Sequence, residues 1–313
     1  MFAYLVRRLL ATIPVMGVVA LFVFSLLYIA PGDPAAVIAG DFATPEQIAA
    51  IHKKLGLDEP FLVRFGHWLW AVLHGDLGIS IFTNLPVTQL IGQRVEPTLA
   101  LTLTTLVVTI VFAVPLGVIA AWKAGTWVDR LVMIVAVAGF SLPAFVLAYL
   151  LILAFSIKLD LLPVQGYVSF RDGFLPFIEH LILPSITLGL VYGALIARFT
   201  RASMLEVLSQ DYIRTAQAKG LANDQVLLRH ALKNAAVPIA TVIGIGVALL
   251  ISGVIVTETV FAIPGIGRLT VDAILRRDYP IIQGVVLLFS AAYVLVNLLV
   301  DVSYTLLDPR VRY

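Results

Sequence analysis

Six long stretches of this chain are apolar and contain no aspartate, glutamate, lysine or arginine. A helix needs about 20 mostly apolar residues to cross a bilayer, and about 17 is the short limit. The runs are Leu9–Gly32, Pro97–Trp122, Leu131–Ile157, Leu181–Ala197, Asn234–Thr257 and Tyr279–Val300. The alternative, buried core helices of a soluble protein, is disfavoured because one chain would have to contain six such runs. The pattern predicts an all-α integral membrane protein with six transmembrane helices.

These runs divide the chain into residues 1–32 with the first span, an external segment 33–96, a membrane core 97–304 and a tail 305–313. The core spans are 97–122, 131–157, 181–197, 234–257 and 279–300, and a basic segment, 198–236, separates the fourth span from the fifth. Pro31-Gly32-Asp33-Pro34 follows the first run instead of a small-residue cleavage site, which predicts a retained helix and not a signal peptide.

The composition narrows the class of protein. Hydrophobic residues make up 60% of the chain, charged residues 13%, and the mean hydropathy is +1.01. These values exclude a disordered tail protein, a DNA-binding domain and an ordinary cytosolic enzyme. The net charge of +2 is too small to imply a nucleic acid partner. The absence of cysteine excludes disulfides and thiolate metal sites.

The distribution of charge predicts the orientation. Arg7 and Arg8 precede the first span, and Arg310 and Arg312 follow the last. If both termini are cytoplasmic, the inner segments hold twelve basic and six acidic residues, whereas the outer segments hold nine and thirteen. Inner and outer net charges are then +6 and −4. Because positive charge is retained on the cytoplasmic side, we expect both termini inside.

Short helices are predicted outside the spans. In the external segment one begins at Pro45 and runs to Leu55, with Gly56 as its stop. A second, Pro60 to His74, carries aromatic side chains at helical spacing. They suit packing or an interfacial belt better than contact with a substrate. A third, Leu269–Leu275, follows a turn at Pro264–Gly267 that is no nucleotide fingerprint, since no strand precedes it.

The basic segment 198–236 predicts two helices. Ser203 and Glu206 fit a capping box, from which a helix runs toward Lys219 and stops at a left-handed Gly220. Tyr212, Ile213 and Ala216 are expected on one face. Asn223 is expected to cap a second helix, 225–236, that continues into the fifth span at Pro238. Such a short helix suits docking to a partner, and a self-packed elbow is the alternative.

Catalytic chemistry is missing from the spans. Ionisable residues inside a membrane are functional by default, and the six runs contain no Asp, Glu, Lys or Arg. No H-E-x-x-H zinc motif or G-x-x-x-x-G-K-[ST] phosphate loop occurs, and no histidine accompanies Ser252 in a span. Gly189 and Gly193 form a G-x-x-x-G pair typical of helix packing. We predict no catalytic, metal or cofactor site, so energy for transport would enter through another polypeptide or an ion gradient.

Several motifs carry a resemblance to a known family. The stretch Asp211-Tyr-Ile-Arg-Thr-Ala-Gln-Ala-Lys-Gly220, preceded by Arg201-Ala-Ser-Met-Leu-Glu206, resembles the cytoplasmic loop of binding-protein-dependent ATP-binding-cassette importer permeases, in the peptide/nickel branch. Arg214-Thr215-Ala216 stand in place of the E-A-A triplet, and His230-Ala-Leu-Lys233 in place of the later I-x-L-P signature. Both departures are typical of that branch. Further matching segments are Pro31–Pro34, Gly75–Ser80, Glu258–Phe261, Pro264–Gly267, Arg277–Pro280 and Leu307–Arg310.

The resemblance implies a type I importer permease fold in the bacterial cytoplasmic (inner) membrane. It implies as partners a second homologous permease, two ATPase subunits that bind the ATP, and an external binding protein that delivers the substrate. The helix around 211–220 would couple this chain to the ATPase, and the implied coupling residues are Asp211, Tyr212, Arg214, Thr215, Ala216, Ala218, Lys219 and Gly220. The long external segment favours the first of the two permease subunits.

The substrate and its binding residues remain open. Dipeptides, oligopeptides, glutathione, opines and nickel chelates are all carried by members of this branch, and selection lies largely with the binding protein. A self-sufficient secondary carrier or channel is the alternative function, and a membrane enzyme would need a catalytic pair that the spans do not contain.

Overall fold

The computed structural model describes residues 2–29, 35–36, 44–54 and 58–307. Pro31–Pro34, Gly56, Arg310 and Arg312 lie outside these ranges. The chain divides into two compact units, Met1–Val95 with Leu269–Val294 and Glu96–Arg268 with Leu295–Tyr313. Helices make up most of the described residues. The bounds are α1 Phe2–Ile29, α2 Pro45–Lys54, α3 Phe61–Leu73, α4 Val87–Trp122, α5 Trp127–Ser141, α6 Ala144–Leu151, α7 Phe174–Leu208, α8 Asp211–Ala218, α9 Lys233–Val260, α10 Ile266–Arg276 and α11 Tyr279–Leu307.

Five helical stretches in the described part of the chain are long and apolar enough to cross a bilayer. They are Arg7–Ile29, Val87–Trp122, Phe174–Leu208, Asn223–Ile251 and Tyr279–Val302. The run at 181–197, which lay at the length limit, belongs to the 35-residue helix α7. A π-helical segment, Val226–Leu232, joins α9 to a single turn at Asn223–Gln225, so the predicted continuation into the fifth span is observed.

The third apolar run, 131–157, does not form one straight helix. Helix α5 ends at Ser141, and Ala144–Lys158 follows at an angle of 107°. Pro143 explains the break, because its ring disfavours helical geometry at the preceding residue and it has no N–H to donate. Leu142 is extended, with φ −87° and ψ 131°. The span predicted over 131–157 is therefore interrupted, as a broken span or as a re-entrant pair.

Glycines let helices of the second unit approach closely. A Cβ added at Gly117 of α4 would lie 2.6 Å from the carbonyl oxygen of Ala197 in α7, and one at Gly139 of α5 would lie 2.9 Å from that of Leu190. The Gly189 and Gly193 pair of α7 faces Thr109 and Ala113 of α4. Side chains at Gly117 and Gly139 would force the backbones apart. A Cβ at Gly189 would lie 3.3 Å from the Thr109 hydroxyl and one at Gly193 3.5 Å from the Ala113 Cβ, so the G-x-x-x-G pair lies at a helix contact without a backbone clash.

Aromatic packing joins α3 to α1 in the first unit. The ring of Phe24 in α1 lies 5.5 Å from Phe65 and 5.3 Å from Trp68 of α3, measured between centroids. Arg64 donates a hydrogen bond to the Tyr28 hydroxyl and lies over the Phe24 ring. Phe65 and Trp68 are thus half-buried against α1, as the packing interpretation of this helix predicted.

Two of the segments that carry the family resemblance contact each other in the first unit. The Ser80 hydroxyl donates to the Asp278 carboxylate at 2.6 Å, and the Ile81 N–H donates to it at 3.3 Å. Gly78 has φ +87° and lies beside Pro280, where a Cβ would be 3.7 Å away. Asp278 is 2% exposed and directly precedes α11. The segments 75–80 and 277–280 therefore form one structural feature although about 200 residues separate them.

Candidate functional site

The basic segment 198–236 folds into a short helix between two longer ones. Helix α7 ends at Leu208, Gln210 is extended (φ −73°, ψ 148°), and Asp211 begins α8. We call residues 209–222 the elbow. The carboxylate of Asp211 lies in the first turn of α8, where negative charge is favourable because the N–H groups there have no helical acceptors. Arg214 lies 3.6 Å from it, and both side chains are exposed.

Gly220 ends the elbow helix as predicted. Its φ is +80°, its N–H donates to the Gln217 carbonyl at 2.9 Å, and the Leu221 N–H reaches back to Ala216 at 3.3 Å. This is the Schellman arrangement, in which a left-handed residue lets the chain turn back onto the last helical carbonyls. A side chain at 220 would meet no atom within 4 Å, so only the backbone conformation requires glycine.

The inner face of α8 is anchored in an apolar cluster. Ile213 is 1% exposed, and Ala216 packs beside it. The buried members of the cluster come from α4, α7, α8, the π-helical segment and α9, and are Val118, Ala121, Met204, Ile213, Val226, Leu227, Ala231, Ala235 and Ile239. Four other segments of the second unit therefore hold the elbow.

The outer face of α8 is open. Of the implied coupling residues only Ala216 turns inward, while Asp211, Tyr212, Arg214, Thr215, Ala218, Lys219 and Gly220 are exposed. The Tyr212 side chain, 45% exposed, contributes an aromatic ring to this surface, which also carries Arg214 and Lys219. This surface is rigidly supported from behind, and its aromatic and basic groups suit a partner with a partly acidic cleft.

Three details of the predicted elbow were wrong. Ser203 lies inside α7 and starts no helix, because buried Met204 continues the apolar face of α7 past it. Asn223 is the first residue of its helical turn; the capping position belongs to Ala222, and no side chain caps it. Tyr212 does not share the inner face with Ile213 and Ala216. In each case tertiary packing decided the boundary or the face, and local propensity did not.

A buried carboxylate organises the opposite end of α9, and the apolar pattern did not predict it. Glu258, placed in a loop by the apolar pattern, lies in the last turn of α9 and is 0% exposed. The Thr98 hydroxyl of α4 donates to one of its oxygens at 2.6 Å, and the Arg268 N–H donates to the other at 3.0 Å. Thr98 in turn accepts from the Ile266 N–H at 2.8 Å. We call Glu258, Thr98 and residues 264–268 the Glu258 knot.

The knot explains the glycines of the Pro264–Gly267 turn. A Cβ at Gly265 would lie 2.0 Å from a carboxylate oxygen of Glu258, and one at Gly267 would lie 2.6 Å from the Cα of Ile255. The turn wraps around the carboxylate so closely that only glycine fits. The two motifs 258–261 and 264–267 contain the sequence signal for this turn. A turn that closes around a carboxylate needs an acidic residue a few positions before its two glycines.

A second carboxylate lies near the same end of α4. Glu96 accepts hydrogen bonds from Ser169 at 2.5 Å and from Tyr167 at 3.1 Å. Burial, with the Glu96 contact adding to it, raises the pKa of the Tyr167 phenol, which therefore stays protonated and remains a donor. These contacts tie the segment between α6 and α7 to the start of the membrane core.

One hollow in the second unit is apolar. It measures about 440 Å³ and runs along α4, α5 and α7, with Phe112, Val135 and Leu190 among its lining residues. Across the ranges that the structure describes, no three acidic or histidine side chains come together in a way that would hold a metal ion.

Comparison with known proteins gives two family matches. Residues 113–313 match the binding-protein-dependent transport system inner membrane component, and residues 1–102 match the N-terminal part of the membrane component of the same transport systems. A probable peptide ABC transporter permease protein of Sinorhizobium fredii is 56% identical over 99% of both chains. A putative peptide transport system permease protein of Brucella abortus is 46% identical, and a glutathione transport system permease protein of Escherichia coli 45% identical, each over 100% of both chains.

Among solved structures, the MetNI methionine ABC transporter in an inward-facing conformation has a chain that superposes with a TM-score of 0.59. The match covers 70% of this chain and 97% of that one at 18% identity, which shows a shared fold.

The Glu258 knot predicts a large difference between two threonines one turn apart on α4. Thr98→Val removes a donor to a buried carboxylate, and we expect it to lower the free energy of unfolding by about 2–3 kcal/mol. Thr102→Val is the matched control, since the Thr102 hydroxyl bonds only to the helix carbonyl of Thr98, and we expect a change below about 0.5 kcal/mol. Denaturant unfolding in detergent micelles measures both, and equal losses would contradict the role of the knot.

Proposed function

This chain belongs to the family of binding-protein-dependent transport system inner membrane components, and on that premise we propose that it forms half of the membrane pathway of an ATP-driven peptide importer. The peptide assignment is supported by relatives that match over their whole length and are named for peptide or glutathione transport. We propose a di- or oligopeptide as the substrate class, with glutathione, itself a peptide, included.

The observation that carries the mechanism is the geometry of the elbow. Its outer face is exposed, its inner face is anchored by Ile213, and a Schellman turn at Gly220 holds its length. Such a helix suits the transmission of a rigid displacement from a separate subunit into the bundle. We propose that two ATPase subunits bind the ATP and that one of them seats this elbow.

The remaining partners follow from the family premise. A second homologous permease would complete the pathway, and an external binding protein would deliver the peptide. In this arrangement closure of the ATPase pair would rock the two bundles between inward-open and outward-open states, so the chain itself would need no catalytic residue and no cofactor.

Uptake by purified components tests this function. In proteoliposomes containing the two permeases, the two ATPases and the binding protein, we expect labelled peptide to accumulate only when ATP is present on the elbow side. Liposomes holding this chain alone should show no flux under a proton or sodium gradient. Gradient-driven flux by the chain alone would instead support the alternative of a secondary carrier.

The conformation of Gly220 predicts which substitutions uncouple transport. A valine at this positive φ costs about 1–2 kcal/mol of backbone strain, whereas asparagine tolerates a left-handed conformation. Because about 1.4 kcal/mol is a factor of ten in an equilibrium, we expect Gly220→Val to lower peptide uptake per ATP roughly tenfold. Gly220→Asn should stay within about twofold, and equal behaviour of the two variants would remove the elbow from the coupling route.

Because of the bend between α5 and α6, the sides on which two loops lie test the number of spans. With six spans and both termini inside, Asp172 lies outside and Ala218 inside; if the bent pair is re-entrant, the two sides exchange. The chain has no cysteine, so Asp172→Cys and Ala218→Cys are each free of background. We expect an impermeant maleimide to label the cysteine at 172 in intact cells, and the one at 218 only after permeabilisation. The inverse pattern would refute six spans with both termini inside.

A further inference from the structure

One ion pair joins two helices of the second unit near the elbow. Arg201 of α7 donates from Nε and Nη2 to the two carboxylate oxygens of Asp129 in α5, at 2.5 and 2.7 Å. The Gly125 N–H donates to the same carboxylate at 2.9 Å. The Asp129 side chain is 6% exposed and that of Arg201 27%. The pair is a bidentate, largely desolvated contact. Bidentate pairs between arginine and a carboxylate are strong and directional.

The ion pair lies on elements that lead into the elbow. Asp129 lies in the first turn of α5, next to the turn that follows α4, and the backbone of that turn contributes the Gly125 N–H. Arg201 lies on α7 seven residues before the helix ends at Leu208, which is about 10 Å at the rise of an α-helix. The pair therefore fastens α5 and its preceding turn to the part of α7 that leads directly into α8.

Elsewhere, α5 and α7 meet through close helix packing and around an apolar hollow. Near the other end of α5, Gly139 packs against the Leu190 carbonyl. Between these points α5 borders the hollow of about 440 Å³ with Leu131, Val132, Val135 and Ala136. Apolar contacts are not directional, so they do not oppose sliding of one helix along the other as a two-pronged ion pair does.

Buried ion pairs contribute little net stability, because desolvation of the two charges offsets their attraction, and their best-attested use is to set register. We propose that Asp129 and Arg201 are positioning residues that make α5 move together with α7 when the elbow is displaced. Motion of α8 would then reach the bent α5–α6 pair through this contact. The inference rests on the proposed coupling role of the elbow.

The test separates coupling from stability. Asp129→Asn and Arg201→Met each leave one charge without its counter-charge, whereas the double variant leaves neither. In proteoliposomes with all partners, we expect each single variant to raise the ATP consumed per peptide at least about fivefold and to lower the thermal midpoint in detergent. The double variant should recover the midpoint and keep the high ATP-to-peptide ratio. Arg201→Lys keeps the positive charge but cannot form two parallel hydrogen bonds with the carboxylate. Its ATP-to-peptide ratio should therefore lie between those of the wild type and Arg201→Met.

Three results would be decisive against the proposal. If the double variant recovers its ATP-to-peptide ratio together with its midpoint, the pair is only structural. If every pair variant keeps the wild-type ratio while Gly220→Val raises it, the elbow couples transport without this contact. If Gly220→Val also leaves the ratio unchanged, the coupling role of the elbow fails and this inference fails with it.

A matched control lies in the same unit. Glu96→Gln removes another hydrogen-bonded carboxylate, one that is exposed and contacts only the segment before α7 through Ser169 and Tyr167. We expect its ATP-to-peptide ratio to equal that of the wild type. A rise as large as in the pair variants would mean that any lost carboxylate loosens coupling, which would overturn the specific role of Asp129 and Arg201.

Discussion

Lipid hydrocarbon offers no hydrogen-bond partner, and this constraint shapes the whole chain. Every backbone group inside the bilayer must be satisfied within its own helix, which is why the described residues are almost entirely helical. Between helices the hydrophobic effect gives no attraction in lipid, so close packing has to supply it. Gly117 and Gly139 provide that packing by letting helices meet the backbone of α7.

The same constraint places the charges at helix ends. Asp129, Glu258 and Asp278 are buried, yet each lies in the first turn, in the last turn or immediately before a long helix, and each accepts hydrogen bonds from at least two groups. A buried carboxylate that is satisfied in this way holds its neighbours in one geometry, because any movement would leave it unpaired. Directional contacts therefore define these helix ends within each unit.

The coupling that we propose for the elbow depends on how firmly its helix is held. A short helix transmits displacement only if it is stiff and is joined to elements that move with it. Ile213 joins α8 to the apolar cluster, the Schellman turn fixes its end, and α7 continues from it into the membrane. The exposed outer face with Tyr212, Arg214 and Lys219 then remains available for another subunit.

Much of this was determined by the sequence alone. The apolar runs predicted a helical membrane protein, the motifs predicted the family, and Gly220 marked the end of the elbow helix, because each of these signals is local along the chain. Only the tertiary structure decided the rest. It paired Glu258 with Thr98 and Asp129 with Arg201, carried α7 past Ser203, and bent the third apolar run at Pro143 by 107°. These outcomes depend on which distant groups become buried together, and a local pattern of hydrophobic positions contains no information about that choice.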